Sequence, residues 1–290
     1  MTTYTADRKG HVTENDSFQD RFLEKMYGSA IGRALLKPLV NPVLSEIGGR
    51  ILDSRVSALA VPAFIRHAGI DMRDYEPKKY WSYNDFFTRK IKEGERVFDL
   101  TPEFLCSPCD SKLTVYNIDE NSEYEIKGTK YSFESLTRSK KLADYYNGGH
   151  MFVFRLCVDD YHRYSYVDNG YLGPVRRING VYHTVNPVAI EAGNDIYKEN
   201  TRELSVLHSE NFGKILQIEV GALMVGRIVN NDEKCHVSRG QEKGRFEFGG
   251  STVILVFAKD MVKIKDEIIK NSADDFETIV KMGDVIGEKF

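Results

Sequence analysis

Phe248-Gly249-Gly250-Ser251-Thr252 leads straight into the apolar run Val253-Ile254-Leu255-Val256-Phe257. A short apolar run entered through glycines predicts a buried strand. The two glycines free the backbone ahead of the Ser-Thr pair for φ > 0 or strained geometry that other residues resist. Such geometry can bring a hydroxyl against the carbonyl of its own preceding peptide bond, and a serine so placed cuts the chain instead of a substrate. Read alone, the segment is a Gly-rich turn entering a strand. The residues around it change that reading.

Outward from this strand the C-terminal two thirds keep the same texture. Short β-rich runs at 112–118, 150–157, 180–184, 215–218 and 253–257 are separated by Gly, Asn and Asp clusters. No β-α-β rhythm appears, and no G-x-G-x-x-G or P-loop points to a nucleotide. Residues 260–279 have helical character before a turn and a final strand at 280–287. Towards the N-terminus, Phe22, Met26, Ile31, Leu35, Leu36, Leu39 and Val43 keep a broken helical spacing, interrupted by Pro38 and Pro42. Ile51, Val56, Leu59 and Ala60 continue it. The expected fold is α+β: a helical N-terminal part over 1–100, then a mostly antiparallel, barrel-like β body over 101–290.

Composition narrows the function. The 290 residues are 41% hydrophobic and 29% charged with a net charge of −3, an ordinary soluble balance without the long basic run of a nucleic-acid binder. No apolar stretch reaches the roughly 18 residues needed to span a bilayer. Residues 1–17 are polar and lack the apolar core of a secretory signal, which places the protein inside the cell. Between Arg21 and Arg66 seven basic residues face three acidic ones. Basic amphipathic helices of this kind lie on an anionic membrane surface or cap the rest of the protein, and composition leaves both open. The four cysteines give no disulfide framework, and the C-x-x-C of Cys106 and Cys109 has no second pair at zinc-like spacing, so no metal is expected.

Seven histidines are available for proton transfer near neutrality. His162 lies in Asp159-Asp160-Tyr161-His162-Arg163-Tyr164, and His183 in Val181-Tyr182-His183-Thr184-Val185-Asn186-Pro187. Asp110, in Ser107-Pro108-Cys109-Asp110-Ser111, reads by default as a turn residue after proline.

Together these segments resemble the phosphatidylserine decarboxylase family. Tyr83-Asn84-Asp85-Phe86-Phe87-Thr88-Arg89 is similar to its N-F-F-T-R-type segment, and Ser107-Pro108-Cys109-Asp110-Ser111 to its S-P-x-D-G with serine for glycine. Asp160-Tyr161-His162-Arg163, Thr184-Val185-Asn186-Pro187, and Val220-Gly221-Ala222 with Val225-Gly226 resemble three further motifs. Lys243 to Thr252 resembles the processing segment built around G-S-T. The resemblance implies that Ser251 attacks the Gly250 carbonyl and that the chain divides between Gly250 and Ser251. A large chain (1–250) and a small chain (251–290) would stay associated, the small one headed by a pyruvoyl cofactor derived from Ser251. That group would form a Schiff base with phosphatidylserine, release CO2 and yield phosphatidylethanolamine. The implied setting is peripheral, on the anionic cytoplasmic face of the cell membrane.

One departure matters. Many members read D-Y-H-R-x-H, with the second histidine as relay base for self-cleavage; here Ser165 stands there. His162 and His183 are both candidates for the missing base, with Asp110 as the orienting carboxylate. His162 is three residues from Ser165, an odd strand offset that points it to the opposite face. The expectation is therefore that His183 serves cleavage and His162 donates the proton in decarboxylation. Two other functions compete: pyruvoyl-dependent decarboxylation of a soluble amino acid, and a non-catalytic carrier-like β module, which would leave Ser251 without a role.

Overall fold

The computed structural model describes residues 3–15, 48–119, 121, 123–126, 129–180, 200–221, 227–247 and 251–290. Its backbone is organised around the strand that the opening stretch predicts. Ser251–Phe257 is buried at every position, as expected of an apolar strand covered on both faces. It lies at the centre of an eleven-stranded sheet, between Lys214–Val220 and His150–Leu156, antiparallel to both. The order continues on one side through Ser111–Asn117, Glu277–Val280, Thr3–Ala6 and Val12–Asn15. On the other side come Arg202–Ser209, Gly170–Leu172 and His236–Val237, and Arg176–Ile178 also pairs with Arg202–Ser209. The pairing of Thr3–Ala6 with Glu277–Val280 is parallel.

The α+β class with mostly antiparallel pairing holds, and two parts of the expectation need correction. The sheet does not close into a barrel. Its two ends, Val12–Asn15 and His236–Val237, are short strands carrying Glu14 and His236, which suits strands left at an edge. Among the described residues the expected helical N-terminal unit is not evident. Its first described residues form a hairpin, turned by Asp7, whose carboxylate accepts from the Lys9 and His11 backbone N–H groups, and by Gly10 at φ +85°. Residues 55–87 contribute only short helical pieces, the longest being Val61–Ala68. The stretch at 18–46 that carried most of the helical spacing lies outside the described residues.

A small second sheet covers one face of the large one near Ser251. It orders Arg227–Asn230, Glu242–Glu247 and Arg163–Ser165. Directly opposed strand residues share a face, so Glu219, paired with Val253, lies on the same face as Ser251, two residues from Val253. Lys243 Nζ donates to Glu219 Oε1 at 2.9 Å with both side chains fully buried, and Asn230 Nδ2 donates to Glu219 Oε2 at 3.2 Å. Removing one partner of such a pair costs about 3–5 kcal/mol, so this contact fixes how the small sheet sits. Gly244 allows the approach, since a Cβ there would stand 2.3 Å from the Val229 carbonyl oxygen. A third sheet, Val262–Ile264, Val285–Lys289 and Phe104–Cys106, stands beside the Asp110 turn.

Candidate active site

Ser251 opens the central strand opposite Leu156, and its side chain is fully buried. His162 sits one residue before the strand Arg163–Ser165 of the small sheet, also fully buried. Its Nδ1 lies 3.3 Å from Ser251 Oγ, and its Nε2 lies 2.8 Å from the Cys157 carbonyl oxygen. A carbonyl only accepts, so Nε2 must carry the proton. That leaves Nδ1 as a bare lone pair facing the serine hydroxyl, the tautomer a general base requires.

Local sequence builds this arrangement. Asp160 folds the turn after His150–Leu156: Oδ2 accepts from Cys157 N at 2.7 Å and from Lys112 Nζ at 2.7 Å. Asp160 N returns a bond to Cys157 O at 3.0 Å. The Cys157 carbonyl is therefore fixed before it receives the imidazole. On its open side the ring stacks with Phe87 at 3.9 Å between centroids. Phe87 ends the short helix Tyr83–Phe87, which Ser82 caps by accepting from Asp85 N. Burial, reinforced by the positive charge of Arg89, lowers the His162 pKa to about 3. The imidazole is neutral across the physiological range.

Among the described residues Asp110 is held by Arg96, Met282 and Lys281. Arg96 grips its carboxylate through two bonds, Nε to Oδ1 at 2.9 Å and Nη2 to Oδ2 at 2.7 Å. Met282 N donates to Oδ1 at 2.8 Å, and Lys281 Nζ lies 3.4 Å from Oδ2. Burial alone would raise the carboxyl, but Arg96 and Lys281 hold it below the ordinary carboxylate range. Gly283, at φ +90°, shapes the turn that presents Met282, because a Cβ there would meet the Val97 carbonyl oxygen at 2.3 Å. Ser165 is buried over this same turn, its Oγ 3.7 Å from Met282 Sδ and its N–H bonded to Pro108 O at 2.9 Å. Asp110 and Ser165 thus share Met282 as neighbour, while Ser251 faces His162.

The structure brings Ser251 and His162 together and sets Asp110 with Arg96. His183 and Gly250 lie outside the described residues. Sequence reasoning missed Phe87, Arg96 and the Cys157 carbonyl. Phe87 stood inside a quoted motif without a role; a backbone carbonyl leaves no side-chain signature. Cys106 and Cys109 are free thiols, both buried, and burial pushes the Cys109 thiol well up.

Residues 83–288 match the family described as phosphatidylserine decarboxylase. The chain belongs to the phosphatidylserine decarboxylase family. It is 42% identical to phosphatidylserine decarboxylase proenzyme 2 of Clostridium acetobutylicum, over 99% of this chain and 98% of that one. It is 44% identical to the phosphatidylserine decarboxylase proenzyme of Clostridium tetani, over 85% and 84% of the two chains. The corresponding proenzyme of Ruminiclostridium cellulolyticum is 42% identical over 92% and 91%. The resemblance carried by the six motifs holds, and the chain is a carboxy-lyase of this family. The carrier-like β module is set aside.

Proposed function

We propose that this chain is a proenzyme that cuts itself between Gly250 and Ser251 and then decarboxylates phosphatidylserine to phosphatidylethanolamine, with His162 as the base at residue 251. The observation that carries the reading is the 3.3 Å approach of His162 Nδ1 to Ser251 Oγ, with Nε2 held by Cys157 O. In the first step Nδ1 accepts the hydroxyl proton while Oγ attacks the Gly250 carbonyl carbon. The peptide C–N bond breaks, its nitrogen takes the proton back from His162, and an ester links Gly250 to the residue 251 side chain. Loss of the residue 251 α-proton then expels the Gly250 carboxylate. Water replaces the resulting enamine nitrogen as ammonia, leaving a ketone.

A buried, apolar setting beside a proton-accepting imidazole suits a pyruvoyl group at position 251, which supplies a carbonyl that engages the substrate amine and draws off the electron pair released with CO2. His162 remains beside that position to move a proton at the reacting carbon. Asp110 and Arg96 hold the Met282 turn on which Ser165 rests. The small chain stays in place because Ser251–Phe257 is bonded on both sides to strands of the large one.

Membrane contact fits the exposed apolar residues of the N-terminal part. Val56, Leu59 and Trp81 are 73%, 82% and 60% exposed, and the Arg55 guanidinium lies 5.3 Å from the Trp81 ring centre. Apolar tips flanked by cations suit peripheral attachment to an anionic surface. Among the described residues no helix is long and apolar enough to cross a membrane.

Denaturing mass spectrometry tests the central reading. Wild type should give two chains; Ser251→Ala should stay at 33.1 kDa and be inactive, and His162→Ala should slow cleavage by about 10²–10⁴-fold. Normal cleavage in His162→Ala with none in His183→Ala would move the base to His183.

A further inference from the structure

The segment that places Phe87 against His162 continues into Arg89, which no step above uses. Its side chain is only 2% exposed. Nη2 donates to the Tyr75 hydroxyl at 3.2 Å and to the backbone oxygens of Asp159 and Asp160 at 3.0 and 3.2 Å. Nε and Nη1 are buried without a hydrogen-bond partner among the described residues. The guanidinium carbon lies 4.4 Å from the Tyr75 ring centre and 4.8 Å from that of Phe86. Ring faces attract the charge but accept no in-plane N–H, and no carboxylate pairs with Arg89 among the described residues. A buried cation without counter-charge is costly to the fold, and the charge of Arg89 is left uncompensated by the described residues.

Arg89 helps to line a cavity of about 280 Å³, together with Lys78, Lys90, Arg163, Glu76 and Asp85. Asp85 is taken by Lys78 at 2.5 Å, and Arg163 by both oxygens of Glu242 at 2.7 and 2.9 Å. What remains is Arg89 and Lys90 against Glu76, a positive balance. The exposed Trp81 stands in the same segment, so the cavity lies beside the face proposed above for membrane contact.

We propose that this cavity is an anion subsite for the phosphodiester of the phosphatidylserine headgroup, with Arg89 as its buried cation and Lys90 at its rim. The assignment rests on the decarboxylase reading. The headgroup carries two anionic groups, and chemistry chooses between them. The carboxylate leaves as CO2, so an arginine clamped on it would stabilise the ground state and oppose the reaction. The phosphodiester keeps its charge throughout and is the group a fixed cation can hold while the amine reaches residue 251.

The test uses the full processed protein with phosphatidylserine in detergent micelles. Lys90→Gln should raise KM about 3-fold to 10-fold with kcat unchanged. Arg89→Gln should lose about 100-fold in kcat/KM, partly restored in Arg89→Lys. Because Arg89 variants can fail to fold, the wild type is also assayed with glycerophosphoserine and glycerophosphate. Both should compete with the lipid, and Lys90→Gln should weaken both equally. Unchanged KM and unchanged competition in Lys90→Gln would overturn the subsite. Weakened glycerophosphate binding with an unchanged lipid KM would assign the cavity to free phosphate esters and overturn the headgroup assignment. Calorimetric binding of glycerophosphate, weakened about 3-fold to 10-fold in Lys90→Gln, reads the cavity separately from turnover, so a protein that binds but releases no CO2 would indict the decarboxylase reading instead.

Discussion

Replacing Arg96 by methionine isolates the carboxylate of Asp110, which Arg96 grips through two bonds. Asp110 is 2% exposed and Arg96 11%, so the pair is largely out of water, and removing one member leaves an uncompensated buried charge worth about 3–5 kcal/mol. Lys281 at 3.4 Å and the Met282 N–H remain, which argues for the lower end, about 3 kcal/mol. Proton linkage gives the sign of the pH dependence. In wild type the Asp110 carboxyl sits below its unfolded value, so its charge stabilises the fold above about pH 3.9 and that contribution fades as pH falls through the folded pKa. Without Arg96 burial dominates and the carboxyl rises. The variant can then relieve its penalty by taking up a proton. The destabilisation by Arg96→Met should therefore shrink by about 1 kcal/mol between pH 7 and pH 5. Adding Asp110→Asn should recover most of the loss at pH 7. Urea unfolding of the uncut Ser251→Ala chain measures both, since a single intact chain keeps the transition unimolecular. An Arg96→Met penalty equal at the two pH values, or undiminished by Asp110→Asn, would refute the argument.

Two further expectations concern the reaction and the surface. With the His162 pKa near 3, the base is neutral throughout, so self-cleavage during cell-free synthesis should be flat between about pH 5 and 8; a fall centred at about pH 6.5 would mean that the base is an ordinary, solvated imidazole. Joint replacement of Leu59 and Trp81 by serine should cut sedimentation with anionic vesicles about 10-fold, and wild-type binding should weaken with salt; vesicle binding indifferent to both would remove this face from the membrane.

The strand holding Ser251 is legible because an apolar run entered through glycines and closed by Lys259-Asp260 has one comfortable home, the sheet interior. Strand alternation counted back from Ser165 turns His162 to the opposite face, but the strand begins at Arg163, so His162 lies ahead of it and the parity does not extend that far. Asp110 was found by motif, yet its partner Arg96 lies in the charged stretch Glu93-Gly94-Glu95-Arg96, where a surface role is the natural reading. The orienting oxygen of Cys157 is backbone and could not be read at all. The N-terminal hairpin was hidden by its polar composition, and its pairing with Glu277–Val280 spans nearly the whole chain, a separation that local pattern does not report.

The central position of Ser251–Phe257 bears on the life of the molecule after the proposed cut. Before cleavage, that strand reaches its neighbours by closing loops within one chain, at an entropic cost that grows slowly with loop length. On the proposed cut before Ser251, the same strand would belong to a separate peptide, and any refolding would become a second-order encounter that dilution slows. The mature form should then persist through a high barrier to unfolding, since a chain that loses the strand has no tether to recover it. Heating the cut and uncut forms to the same temperature and cooling them should return only the uncut chain at low concentration. Folding and maturation would in that sense be sequential and one-way: under the proposed self-cleavage the sheet is assembled once, as a single chain, and thereafter only kept.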